Sequence, residues 1–180
     1  MVEDLLALAR QMGISASAEF DSKLLVPEQR IRDLCRQNIC GNYKNNYTCP
    51  PYVGSLEDVR IRLLDFRRGV LLQYSKSMDV KSNWAKIQET KVDFHHIILY
   101  LEEFAQGRGI DHLWGMIGGS CGLCPVCNAR LGKPCTYSDK ARMSLEAIGV
   151  DVLALLAKLD LDNEFHSDKI IWTGCILFKV

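Results

Sequence analysis

Cys121, Cys124, Cys127 and Cys135 place four of the chain's eight cysteines within fifteen residues. Their spacing is Cys-x2-Cys-x2-Cys-x7-Cys. Two-residue gaps turn the chain between successive thiolates and let them face one centre. Such spacing suits iron–sulfur clusters and, less often, zinc. The alternative is a set of free cysteines packed as small hydrophobes. Glycine and proline surround them, in Gly118-Gly119-Ser120-Cys121-Gly122 and Lys133-Pro134-Cys135, which does not suit a core segment. Gly118, Gly119 and Gly122 would let backbone N–H groups approach cluster sulfurs, where hydrogen bonds tune the reduction potential.

A second group comes earlier: Cys35, Cys40 and Cys49, the last in Cys49-Pro50-Pro51-Tyr52. On a continuous helix Cys35 and Cys40 would stand about 140° apart. They share a centre only if the helix ends between them, and Asn38 and Gly41 supply that ending. Cys49-Pro50 is similar to the Cys-Pro that closes bacterial ferredoxin motifs. Tyr43, Tyr47 and Tyr52 would shield this group.

Seven clustered cysteines divide as four and three. Four thiolates saturate one [4Fe-4S] cluster, and three leave one iron of a second cluster open or filled by another ligand. The division need not follow the sequence. Cys49 could join Cys121, Cys124 and Cys127, leaving Cys135 with Cys35 and Cys40. One cluster with a zinc ion, or a single cluster, also satisfies the count. Cys175 stands alone in the apolar stretch Lys169–Phe178 and reads as a core residue, with an eighth ligand as the sharper alternative.

Other chemistry is missing. No glycine-rich dinucleotide fingerprint follows a strand, and there is no phosphate-binding Gly-x4-Gly-Lys-Ser/Thr loop. Gly-Gly-Ser-Cys-Gly is not a hydrolase nucleophile elbow. Arg142, Ser144 and Glu146 follow the second cysteine loop and either reach it or form a solvated helix start. His95 and His96 are neighbours on a helix, so one is expected packed and the other exposed.

The elements that must position these residues are α/β in class. Residues 2–12 form an amphipathic helix ending at Gly13, and 15–26 a strand. Pro27 opens a helix from Glu28 to Arg36. Ser55-Leu-Glu-Asp58 is a capping box starting a helix to Arg68, stopped by Gly69. Val70–Tyr74 is a strand. Ser82 caps a long helix, 83–106, whose apolar face carries Trp84, Ile87, Phe94, Ile97, Ile98, Leu101 and Phe104. His112–Ile117 is a strand that delivers the chain to Cys121, at a strand's C-terminal end where open α/β sheets usually bind ligands. Helix resumes over 138–147 and 150–159, and Lys169–Phe178 closes the fold. We expect a small mixed sheet of three to five strands flanked by helices, with both cysteine loops on one side. Residues 1–180 read as a single domain, to which 1–26 could be an N-terminal appendage.

The 180 residues are 48% hydrophobic and carry 22 basic and 22 acidic side chains. That balance argues against nucleic acid and against an anionic membrane surface. The N-terminus has acids where a signal peptide has bases, and no apolar run spans a bilayer. A cytoplasmic, reducing location is expected, where clustered cysteines mean metal and not disulfides.

Taken together, Cys-x4-Cys-Gly-x-Tyr…Cys-Pro-Pro-Tyr, Gly-Ser-Cys-x2-Cys-x2-Cys…Gly-x-Pro-Cys and Ser-x-Glu-Ala-x-Gly-Val-Asp resemble the motifs of a family of predicted metal-binding proteins, cysteine-rich and common in anaerobic bacteria and archaea. The resemblance covers roughly 30–180 and maps onto Cys35, Cys40, Cys49, Cys121, Cys124, Cys127 and Cys135 as metal or cluster ligands. Asn46-Tyr47-Thr48 stands where a nearby Trp or Leu is expected. The resemblance implies metal binding and supplies no reaction. Three functions compete. One is an iron–sulfur electron carrier or redox accessory subunit with a redox partner protein. Another is an enzyme using an open three-cysteine cluster as Lewis acid, for example in desulfuration. The last is a zinc-binding structural or interaction module. Oligomeric state is not legible.

Overall fold

The computed structural model describes residues 2–179; Met1 and Val180, the ends of the expected domain, lie outside the described residues. The helices are α1 (Val2–Gln11), α2 (Gln29–Arg36), α3 (Leu56–Leu63), α4 (Trp84–Gln106) and α5 (Val152–Lys158). The strands are β1 (Ala16–Asp21), β2 (Arg68–Ser77), β3 (Leu113–Met116) and β4 (Lys169–Phe178), in one sheet of order β1-β2-β4-β3.

Neighbouring strands are all antiparallel, where a mixed sheet was expected. β2 and β3 do run parallel to each other, joined by α4, but β4 inserts between them. This is a split β-α-β unit. The parallel pairs that a mixed sheet requires are therefore absent, although β2 and β3 share a direction.

The sheet is covered on both faces, which is why β2 and β4 are apolar at consecutive positions and not at alternate ones. Val70, Leu72, Ile176 and Phe178 pack with α1 and α4 through Leu5, Ala9, Phe94, Ile98 and Leu101. Leu71, Cys175, Leu177, Trp114 and Met116 pack with α3 and α5 through Val59, Leu63, Leu155 and Leu156. Side-chain alternation along each strand feeds the two layers.

α3 begins at the expected capping box: the Asp58 N–H donates to Ser55 Oγ at 3.1 Å and the Ser55 N–H to Asp58 Oδ2 at 2.8 Å. It ends at Leu63 and not at Arg68, because Arg67 is already sheet-bound: its carbonyl accepts from Ser22 and its N–H donates to Phe178 O. Gly69 is a strand residue. A Cβ there would stand 2.6 Å from Leu177 Cδ2 and 2.7 Å from Phe20 Cζ.

Residues 138–147 are not helix but turns at 138–140 and 145–147 around an irregular stretch whose Ser144 bridges to Ile117. Distant partners hold them: His95 Nε2 donates to Lys140 O at 2.9 Å, Arg142 Nε to Glu102 Oε2 at 2.8 Å, and the Ile117 N–H to Met143 O at 3.0 Å. Ser82 does not cap α4, since its hydroxyl donates to Asp79 instead. Trp84 is 72% exposed and lies outside the core, which starts one turn later at Ile87. His95 is buried and His96 exposed, as expected. Among the described residues no helix is long and apolar enough to cross a membrane.

Candidate metal centre

Two segments without α-helix or strand carry six of the seven clustered cysteines: 37–55, between α2 and α3, and 117–151, between β3 and α5. Cys35 lies in the last turn of α2. The helix stops at Arg36, and Asn38 at φ 55° and Gly41 at φ 73° turn the chain left-handed around Cys40. The asparagines explain themselves locally. Asn38 Oδ1 accepts from the Tyr43 N–H at 2.9 Å, Asn42 Nδ2 donates to Cys40 O at 3.1 Å, and Asn45 Nδ2 donates to Gly41 O at 2.9 Å. These bonds stand in for secondary structure in a loop that has none.

β3 delivers the chain into Gly118 beside β4: a Cβ on Gly118 would lie 3.0 Å from the Thr173 nitrogen and 3.2 Å from Trp172 Cε3. Gly119 packs against Trp172, and Gly122 against Val92 and Lys91. The glycines thus make room for side chains of α4 and β4, a role the cluster-approach expectation did not include.

The two loops lie on the same side and are hydrogen-bonded together. Asn46 Nδ2 donates to Cys121 O at 2.9 Å, and the Cys121 N–H donates to Thr48 Oγ1 at 3.1 Å. Tyr47 Oη donates to Lys133 O at 2.7 Å, and Arg130 Nη2 to Gly41 O at 3.3 Å. Asn46 and Thr48 are buried, so these are interior contacts. The Tyr47 and Tyr52 rings meet edge-on, 4.9 Å between centroids, over this junction.

Cys121, Cys124, Cys127 and Cys135 line one small cavity of about 20 Å³, together with Thr48 and Tyr137. The other three form a neighbouring group. Burial, and then the charges of Cys40 and Cys35, push the Cys49 thiol up to about 12. Burial and then Cys40 raise Cys35. Burial raises Cys121, with Cys135, Cys127 and Cys124 adding to it. Cys135 thus sits with the Cys121 group, and Cys49 lies between the two sets, within electrostatic reach of Cys127. Thiols so placed resist ionisation in the absence of metal. A coordinated cation reverses this and releases the proton. Among the described residues no three Cys, His, Asp or Glu side chains are gathered closely enough to hold a single metal ion.

Cys175 is fully buried in the core layer with Met116 and Leu177, and it lines neither this cavity nor the cleft beside it. Of the polar residues after Cys135, Arg142 is taken by Glu102 and the Ser144 hydroxyl accepts from the Ala147 N–H at 3.1 Å. Glu146 does meet a cysteine: its carbonyl accepts from Cys35 Sγ at 4.0 Å, and the charge of its carboxylate adds to the rise in that thiol's pKa.

Two cations near the cysteines escaped sequence reasoning. Arg32 is buried, one helical turn before Cys35; its Nη1 donates to Gly54 O at 3.1 Å, while Nε and Nη2 have no partner. Burial lowers its pKa and the charge of Cys35 acts the other way. The i, i+3 spacing to Cys35 was the available signal. Lys91, on α4, is half-buried and feels Cys121, Cys49 and Cys40; nothing in its local sequence marks it. Buried cations facing thiols, with unused donors, fit an anionic sulfur-ligated group as their partner.

Neither the curated proteins nor the solved structures contain a match to the chain. The family described as Predicted metal-binding protein (DUF2284) matches residues 18–178, and the chain belongs to it.

Proposed function

We propose that this metal-binding protein holds iron–sulfur clusters, one or two of the [4Fe-4S] type, and serves in electron transfer or as a redox accessory subunit to a partner protein. The observation that carries this is the shared cavity of Cys121, Cys124, Cys127 and Cys135, with the three-thiol group of Cys35, Cys40 and Cys49 hydrogen-bonded against it. Zinc–sulfur bonds of about 2.3 Å require sulfurs within about 4 Å of one another. The cysteines surround a cavity without converging on a single ion, which favours a bulkier inorganic core. The unpartnered nitrogens of Arg32 add a positive charge that an anionic, thiolate-ligated group would satisfy. When bound, such clusters accept and return single electrons at potentials set by charge and hydrogen bonds around the sulfurs. In this chain Arg32, Lys91 and the buried Thr48 supply that surrounding charge and polarity.

A second reading follows from Cys40. It is the most exposed of the eight cysteines and lines a solvent-open cleft. A three-thiolate centre opening on that cleft would leave a coordination position for substrate, giving the protein Lewis-acid chemistry.

Anaerobic purification, with iron, sulfide and zinc counted per chain, tests the proposal. About eight irons with matching sulfide means two clusters and about four means one. Dithionite should bleach the brown colour and produce a paramagnetic signal. A colourless protein with stoichiometric zinc and no sulfide would overturn the iron–sulfur reading in favour of a zinc module.

A further inference from the structure

Beside the cysteine cavity lies a larger, solvent-open cleft of about 500 Å³, between the two cysteine loops and the first half of α4. Trp84, Gln88 and Lys91 line it from α4; steps of four and three put them on one stripe of the helix. Cys40 and Asn42 line it from the first loop, and Cys121, Cys124, Cys127 and Arg130 from the second, so it opens onto three of the cysteines of the neighbouring cavity. Its two charged lining residues are Lys91 and Arg130, both cations, and no Asp or Glu contributes to its wall.

Lys91 is built into this place. Its stem packs beneath the second loop: a Cβ on Gly122 would stand 3.3 Å from Lys91 Cε, and one on Gly119 3.5 Å from Lys91 Cδ. At Gly122 an added Cβ would press on Val92 Cγ2, at 3.1 Å, as well as on the lysine stem, whereas Gly119 is glycine for its left-handed backbone, at φ 70°. No ion pair with a carboxylate involves Lys91 among the described residues. The exposed Arg130 side chain makes one hydrogen bond, Nη2 to Gly41 O at 3.3 Å, which holds the guanidinium at the rim with its other donors free for a ligand. A half-buried ammonium and a tethered guanidinium without acids beside them are the pattern of an anion site.

We propose that this cleft binds a small anionic ligand through its carboxylate or oxyanion group, with Lys91 and Arg130 as the charged contacts and Cys40 beside the bound molecule. The Gln88 amide supplies a neutral donor on the same wall. The exposed Trp84 ring at the mouth offers a flat face to the rest of the ligand. The cleft shares Cys121, Cys124 and Cys127 with the cysteine cavity, so the anion lies against the metal centre whichever metal it holds, and Lys91 serves both. If it adjoins an open coordination position, the anion is the group the cleft presents to it.

The test is calorimetric titration of the anaerobically purified, metal-loaded protein with acetate, inorganic phosphate and thiosulfate at millimolar concentrations. At least one anion binds, and whether acetate or the oxyanions bind more tightly tells which source of the charge the cleft prefers. Lys91→Met and Arg130→Gln each weaken that binding by about tenfold or more, the effect of losing a charged hydrogen bond. Lys44→Met, which removes a lysine outside the cleft, leaves it unchanged. Failure of all three anions to bind overturns the proposal, as does binding that survives both cleft substitutions or weakens equally in the Lys44 variant. Should Lys91→Met lose metal, Arg130→Gln alone decides. Finding zinc in place of iron would overturn the cluster assignment and leave this test standing.

Discussion

At the scale of single residues, Arg32 is the most demanding side chain in the protein. It is buried, has one hydrogen bond to Gly54 O, and has two nitrogens without a partner. Each unsatisfied buried donor costs about 1–3 kcal/mol. On the cluster reading proposed above, that charge is answered by what the neighbouring cysteines hold. Arg32→Met keeps the apolar stem and removes the charge. Thermal melts of both forms should then move in opposite directions. The metal-free variant melts at or above the wild-type temperature, because a stranded cation is gone. The loaded variant melts lower and keeps less metal, because the counter-charge is gone. Equal destabilisation of both forms would mean that Arg32 acts only through Gly54. Arg32 was missed in the sequence because its i, i+3 spacing to Cys35 is a weak signal that any solvated helical arginine also gives. Its burial comes from packing, which no local pattern encodes.

At the scale of elements, α4 organises the molecule. One stripe packs on the sheet, a second lines the cleft, and His95 ties the helix to the segment after the second cysteine loop. His95 Nε2 donates to Lys140 O, leaving Nδ1 buried and unpartnered. Burial pulls the ring's pKa from 6.5 down to about 4; the hydrogen bond to Lys140 opposes this, and the charges of Arg142, His96 and Lys91 reinforce it. The unfolded chain therefore takes up this proton first as pH falls. Stability is full above the unfolded value of 6.5 and is lost as pH drops toward 4. A pKa difference of this size corresponds to about 3 kcal/mol across that window. Urea unfolding at its two ends should show His95→Gln, which keeps a donor near Lys140, losing most of this pH dependence. An unchanged slope would put the titration on other groups. The same contact explains what the sequence hid. α4 and the Ser55 capping box are written in local spacing and were legible. The stretch 138–147 carries helix-forming residues, yet it is pinned by His95, Glu102 and Ile117, all distant in sequence. Tertiary partners override propensity there. Trp84 fits the apolar stripe, but the helix begins one turn before the core it packs on.

At the scale of the whole molecule, the two cysteine loops and the sandwich that carries them are separable in energy. The sheet buries an apolar layer on each face, and of residues 37–55 and 117–137 only Val53 and Ile117 are among the buried hydrophobics. Four hydrogen bonds join the loops across their junction, at Asn46, Thr48, Tyr47 and Arg130. At about 1 kcal/mol net apiece, these are worth much less than the roughly 10–16 kcal/mol that structural zinc contributes in small peptides. A whole domain's stability is about 5–15 kcal/mol, so loss of metal could in principle unfold everything. It should not here, because both apolar layers persist without the loops. Hydrogen exchange before and after anaerobic chelation tests this. Amides of 38–53 and 119–137 should become fast, whereas those of β2, β4 and the middle of α4 should stay protected. The amides of Cys121 and Thr48 should be among the first to change, since they sit where the loops meet. Collapse of protection in β2 and β4 along with the loops would show that the metal centre holds the sandwich together and is not simply carried on it.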